Sequence, residues 1–248
     1  MSEKKRLTKN LFRKVRDANL KYRMIENGDV VAVGISGGKD SLTLFYLLSL
    51  LKRYTPLEFT LKPILLDLGF GNDHAAVIEF CREQGAELEI IPTHIGKIVF
   101  DIREEKSPCS LCANLRRGAL NRLAKERGCN KVALGHHLDD AVTTLLMSIL
   151  YERRFHLFKP ITWLDRIGLH KIEPLIYVEE KEIRQFIEAE GILPVVNRCP
   201  MDGITKRSEV HELVDAMRQK HPELPKKIIE ALENMDENSL WHPADKNE

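Results

Sequence analysis

Two hydrophobic periods take turns along the chain. Over residues 4–23, Leu7, Leu11, Val15, Ala18 and Tyr22 recur at steps of three and four, which predicts a helix with one apolar face. Val30-Val31-Ala32-Val33-Gly34-Ile35 is then apolar throughout and rich in β-branched residues, as a parallel strand buried on both faces requires. The pattern continues with a helix over 41–53, a strand over 61–66, a helix over 73–84 ending at Gly85, and a strand over 88–91 stopped by Pro92. Helical turns over 95–105 follow, then a helix over 113–127 ending at Gly128, a strand over 132–134, a helix over 138–152, and a fifth strand over 172–176 interrupted by Pro174. Strands alternating with helices predict an α/β fold with a mainly parallel, doubly wound sheet. Right-handed crossovers then put a ligand site at the carboxyl ends of the strands. Beyond about residue 178 the strands stop. Helices over 179–190, 207–220 and 225–235 remain, with a loop over 194–203 and a polar, frayed end. The expected organisation is a basic N-terminal helix (1–28), an α/β domain (29–178), a helical extension (179–240) and a tail (241–248).

Composition narrows this picture. Apolar residues make up 43% and charged residues 30% of the 248 positions, which excludes wholesale disorder. Lys+Arg is 38 against 37 Asp+Glu, so contact with nucleic acid requires a local patch. The first helix offers one: nine Lys/Arg between 4 and 23 against the single acid Asp17. That face is either simply solvated or a surface for RNA phosphates. Arg153, Arg154 and Lys159 beside Phe155 and Phe158 offer a second patch, although 6% aromatics excludes an extended stacking platform. No apolar run reaches 18 residues, so no membrane span is expected, and the basic start lacks the apolar stretch of a secretory signal. Five cysteines, an odd number, argue against a disulfide framework and for a cytoplasmic protein.

The first candidate chemistry is Ser36-Gly37-Gly38-Lys39-Asp40-Ser41, between the first strand and the next helix. Two glycines let backbone N–H groups approach an anion. The helix N-terminus adds partial positive charge, Lys39 a full one, and Ser36 and Ser41 supply hydroxyls. It is not a Walker A loop, which needs Gly at position 33 (here Val33) and Ser/Thr after the lysine (here Asp40). An acid at a phosphate site implies Mg²⁺ or a nearby base. These six residues resemble the PP-loop of the N-type ATP pyrophosphatases, a family including GMP synthetases, lysidine synthetases and tRNA thiolases. The resemblance implies an adenine nucleotide alpha hydrolase-like fold, cleavage of ATP between the α and β phosphates, and adenylation of a carbonyl-type oxygen.

The second is a set of cysteines. Cys109-Ser110-Leu111-Cys112 lies just before the 113–127 helix, and Cys199-Pro200 lies in the later loop. Cys81 and Cys129 read as ordinary small apolar residues. For the other three the residues alone leave four readings open: a thioredoxin-type redox pair, a zinc site recruiting a histidine such as His94 or His211, purely structural thiols, or an iron–sulfur cluster with one open iron. Pro108-Cys109-Ser110-Leu111-Cys112, Leu115-Arg116-Arg117-Gly118, Gly135-His136-His137-Leu138-Asp139-Asp140, Thr144-Leu145-Leu146-Met147 and Pro174-Leu175-Ile176-Tyr177-Val178 together resemble the tRNA 2-thiocytidine synthetases, over about residues 10–240. In place of that family's second C-x-x-C stretch, this chain has the single Cys199.

The resemblance implies a [4Fe–4S] cluster on Cys109, Cys112 and Cys199, and thiolation of a tRNA cytidine. ATP would lie with its adenine near Leu66 and Asp67, its outer phosphates on Ser36, Gly37, Gly38, Lys39 and Ser41, and its α phosphate by Gly135. Asp40, Asp139 and Asp140 would bind Mg²⁺ or position the base; a helix-capping acid pair is the plainer reading of the last two. Arg116 and Arg117 would neutralise charge between cluster and nucleotide, and His136 and His137 would contact phosphate. The base oxygen would attack the α phosphate, pyrophosphate would leave, and sulfur from sulfide or a cysteine desulfurase would then replace AMP. A homodimer is also implied. The rival readings are a PP-loop adenylating enzyme acting on another base or small molecule, and a zinc-stapled nucleotide-binding protein.

Overall fold

A computed structural model describes residues 3–103, 108–195, 198–201 and 206–236. Helix α1 (Glu3–Tyr22) leads into β1 (Val30–Ile35), followed by α2 (Lys39–Tyr54), β2 (Thr60–Asp67), α3 (Ala75–Glu83) and β3 (Glu89–Pro92). The short α4 (Ile95–Lys97) runs on as a π-helical turn, Ile98–Ile102. Then come α5 (Pro108–Glu126), β4 (Lys131–Ala133), α6 (Leu138–Glu152), β5 (Ile161–Leu164), β6 (Leu169–Ile172), α7 (Glu180–Glu190), α8 (Lys206–Lys220) and α9 (Leu224–Glu233).

The sheet order is β3-β2-β1-β4-β6-β5. All neighbours pair in parallel except β5 with β6. The chain winds outward from β1 through β2 to β3, then crosses back to place β4 on the other side of β1. That reversal opens a crevice between the carboxyl ends of β1 and β4, where an open α/β sheet binds ligands. Strand alternation sends Val31, Val33 and Ile35 to one face, onto α2, α3 and α7 through Phe45, Leu48, Val77 and Phe186, all buried. Ala32 and Val132 face the other way, onto Leu120 and Ala124 of α5. Pro92 ends β3 within the ladder, which an edge strand tolerates because no partner needs its missing N–H.

Three expectations change. The fifth strand is Leu169–Ile172, and residues from Pro174 onward turn instead of extending. It is one arm of a hairpin whose other arm, β5, the sequence reading missed. Gly168 (φ +71°) makes the reversal between them. Helix α5 starts at Pro108, five residues earlier than expected, because proline is tolerated in a first helical turn. Cys109 and Cys112 therefore stand within the helix. Part of the predicted 95–105 segment, the 203 end of the 194–203 loop and the expected tail fall on residues outside those described.

In α1, Leu11, Val15 and Ala18 are buried as the spacing predicts. Its basic face is partly neutralised within the molecule. Lys4 pairs with Glu190 (3.0 Å), Lys14 with Glu182 (2.6 Å) and Lys21 with Glu233 (2.7 Å). Among the described residues no helix is long and apolar enough to cross a membrane.

Candidate active site

At the crevice, β1 delivers Ile35 into the turn Ser36-Gly37-Gly38, and α2 starts at Lys39. Gly37 has φ +80°, a conformation that favours glycine. The turn is held from within. Ser36 N–H donates to Ser41 Oγ (3.1 Å), Ser41 Oγ donates to the Gly38 carbonyl (2.9 Å), and Gly38 N–H donates to Ser36 Oγ (3.3 Å). Gly135, just past β4, faces this helix start. A Cβ there would lie 3.1 Å from the Asp40 carbonyl and 3.2 Å from Ser41 N, a tight contact that glycine avoids.

Below the turn is a cleft of about 410 Å³, lined among others by Ser36, Asp40, Ser41, Leu66, Gly135 and His136. Arg116 and Arg117 of α5 form its far wall, and Arg207 of α8 reaches in from the C-terminal helices. Asp67 lies at the end of β2. Its carboxylate accepts from Gly69 N–H (3.0 Å) and its carbonyl from Thr93 N–H (2.8 Å), so it shapes the adjoining turns.

Charge in the site is tightly coupled. Lys39 Nζ lies 3.1 Å from both Asp40 Oδ2 and Glu180 Oε1. Burial opposes the Lys39 charge, but the two carboxylates outweigh it and raise its pKa above the ordinary value. Burial likewise opposes charge on Glu180, yet Lys39, His211 and Arg184 bring its carboxyl down to about 2. Asp140 accepts from His137 N–H (3.0 Å) and from Arg207 (2.6 Å). Despite burial, His137 and Arg207 hold its carboxyl below the usual range. Asp139 is buried with both oxygens engaged: one accepts Glu180 N–H at the start of α7 (2.7 Å), the other pairs with Arg218 of α8. It thus ties three helix segments together behind the cleft. Asp40 differs, because its Oδ1 is buried with no hydrogen-bond partner. That oxygen, 3.7 Å from His137 Nε2, could accept a divalent cation.

The cysteine pair begins α5, the helix that walls the cleft. Cys109 is exposed; Cys112 and Cys199 are half-buried. Burial pushes the Cys112 thiol up; the charge of Arg116 opposes it, and the nearby Cys199 and Cys109 thiols add to the rise. The three thiols and the cleft-lining Arg116 therefore share one neighbourhood. Among the described residues, no three His, Cys, Asp or Glu side chains are gathered as around a metal ion. His211, one histidine considered for zinc, is engaged elsewhere, with Glu180 (2.9 Å) and Thr143 (3.4 Å). Cys81 is buried in α3, where desolvation raises its thiol to about 12 and leaves it inert. Cys199 is brought near by its own segment. Val195 N–H donates to the Gly37 carbonyl (2.9 Å), and Arg198 donates to the Gly71 carbonyl (3.0 Å).

Sequence reasoning missed Glu180, Arg207 and Arg218. Glu180 was signalled only as an acid in a helix first turn, and the two arginines carry no motif at all.

Known proteins resemble this chain over most of its length. The model of a PP-loop domain family, ATP_bind_3, matches residues 5–198. The tRNA-cytidine(32) 2-sulfurtransferase of Syntrophotalea carbinolica is 37% identical over 239 residues, covering 93% of this chain and 92% of its own. Its counterpart from Geotalea uraniireducens is 34% identical, covering 95% of each chain. The U34-tRNA thiolase NcsA of Methanococcus maripaludis, solved with its [4Fe-4S] cluster, superposes with a TM-score of 0.76 at 30% identity, over 93% of this chain and 79% of that one.

Proposed function

The chain belongs to the PP-loop family of ATP pyrophosphatase-type enzymes, with the tRNA 2-thiocytidine synthetases as its kin, and from that premise we propose that it is an ATP-dependent tRNA sulfurtransferase. One observation carries the reading: helix α5 presents Cys109 and Cys112 in its first turn and, one turn on, Arg116 to the cleft under the phosphate loop. Nucleotide activation and sulfur chemistry thereby meet on one rigid element.

The residues then divide the work. Backbone N–H groups of Gly37 and Gly38, the Ser41 hydroxyl and Lys39 hold the outer phosphates, once Gly38 N–H and Ser41 Oγ exchange their bonds within the turn, and Lys39 its carboxylate partners, for phosphate oxygens. Asp40 holds Mg²⁺ through its unpartnered oxygen; the ion neutralises phosphate charge. Gly135 admits the α phosphate, and Leu66 and Asp67 flank the adenine. Arg116 and Arg117 face the charge that builds as the base oxygen attacks and pyrophosphate departs. Asp140 aims Arg207 at the same space. Asp139 acts from behind, fixing the helix starts that carry Asp140 and Glu180. Cys109, Cys112 and Cys199 would hold a [4Fe–4S] cluster: the thiols are neighbours, though not drawn together as ligands, and thiolates are the donors such a cluster takes. When bound, that cluster supplies the site at which sulfur, from sulfide or a cysteine desulfurase, reaches the activated base. The substrate is a tRNA, with the modified base unstacked into the cleft.

The test separates the two halves. Lys39→Ala is expected to abolish AMP formation from ATP and tRNA while iron content is retained after anaerobic purification. Cys199→Ala is expected to lose iron and 2-thiocytidine, read by mass spectrometry of tRNA nucleosides, while the protein still binds ATP. Iron and activity both surviving in Cys199→Ala would refute the three-thiol reading. AMP formation surviving in Lys39→Ala would refute the phosphate loop's role.

A further inference from the structure

Beyond the end of β6 lies a buried carboxylate that the mechanism above does not use. β6 runs parallel to β4 and pairs Ile172 with Ala133, so the residues following each strand emerge side by side at the carboxyl edge. Glu173 emerges there fully buried, with its side chain 0% exposed. Its Oε2 lies 3.0 Å from Nδ1 of His136. Lys171 Nζ lies 2.9 Å from its Oε1, an ion contact outside hydrogen-bonding geometry. Phe158 closes the arrangement, its ring 5.2 Å from that of His136 and 5.7 Å below the Lys171 ammonium. His136 itself stays 44% exposed and lines the nucleotide cleft beside Gly135. A buried carboxylate is costly unless it is paired. Here the pairing fixes which ring nitrogen faces the protein and which is left for the cleft.

We propose that Glu173 is a positioning residue for nucleotide activation: it accepts the Nδ1–H of His136 and so turns the protonated Nε2 of that ring toward a phosphate oxygen of the nucleoside triphosphate. This rests on the ATP reading above and adds to it a donor at the β4 end of the cleft. The charge on His136 favours the role. Burial works against it, but the hydrogen bond and charge of Glu173, helped by Asp140, raise the imidazole above its usual value despite Lys171. Arg116, Arg117, Arg207, Asp40 and Asp140 line the same cleft as the ring.

The experiment pairs kinetics with a measurement that needs no turnover. In full-length protein, Glu173→Gln is expected to lower kcat for AMP formation about tenfold with little change in KM for ATP. The falling alkaline limb of the pH profile should move to lower pH, because the imidazolium loses its anionic partner. His136→Gln is expected to lose about a hundredfold, the scale of one transition-state donor. The double variant should be no worse than His136→Gln alone, since both changes remove one interaction. A merely structural Glu173 would instead give additive losses and an unmoved pH profile, and either result overturns the proposal. Nitrogen-15 NMR of the imidazole ring reads the dyad directly. Wild type should show Nδ1 protonated and a titration shifted downward in Glu173→Gln. If wild type forms no AMP, the ATP reading fails and this NMR shift alone decides the pairing; an unchanged His136 titration then overturns it.

Discussion

At the scale of single residues, the site includes a close backbone approach that an added methyl group would strain. Gly135→Ala would push a methyl group to 3.1 Å from the Asp40 backbone, and that neighbour opens a helix and cannot swing away. The variant is expected to lose about 1–3 kcal/mol of stability in urea denaturation, the usual cost of overpacking, and to bind ATP more weakly, measured by calorimetry. The sequence made the phosphate loop readable because glycines, a lysine and serines between a strand and a helix have few other uses. Gly135 was readable from its place at a strand end. Glu173 was not. Read as part of a strand over 172–176 it is an ordinary interior position, and only the end of β6 at Ile172 turns it toward His136. Glu180 was equally hidden, because its lysine partner is far away in the chain and nothing in the local spacing joins the two.

At the scale of elements, the phosphate-loop helix, the helix after β4 and the C-terminal helices are joined by ions as well as by apolar faces. Asp139 at the start of α6 is buried and bound by Arg218 of α8 and by the first N–H of α7. Arg218→Ala leaves that carboxylate buried with its counter-ion gone, and we expect a loss of about 3 kcal/mol by denaturant titration. Asp139→Asn with Arg218→Met together should recover part of it, since removing both charges relieves the imbalance. Helix positions were largely legible, because a 3.6-residue period survives any tertiary context. The hairpin was not. Each arm has only four residues, and the alternation in Ile161–Leu164 is too brief to stand out from a loop. The start of α5 was misjudged because Cys-Ser-Leu-Cys has no helical period of its own; Pro108 was the available signal.

At the scale of the whole molecule, Glu180 connects regions that the chain brings together late. It pairs with Lys39 of α2, Arg184 of α7 and His211 of α8. Its folded carboxyl titrates at about 2, below its ordinary 4.5, so it stabilises the fold above about pH 4.5 and loses that contribution as pH falls toward 2. The acid limb of a stability-versus-pH curve should therefore be steeper in wild type than in Glu180→Gln, and the two curves should converge near pH 2. Fold class was readable from the strand–helix rhythm. The placing of the C-terminal helices over the site was not, since helices over 179–235 could pack on either face of such a sheet. A consequence for biosynthesis follows from one backbone bond, that from Val195 to the carbonyl of Gly37. A ribosome releases Gly37 long before Val195. The nascent sheet can form while its turn still lacks this clamp, so the loop of the emerging polypeptide is pinned only after the strands around it have been made.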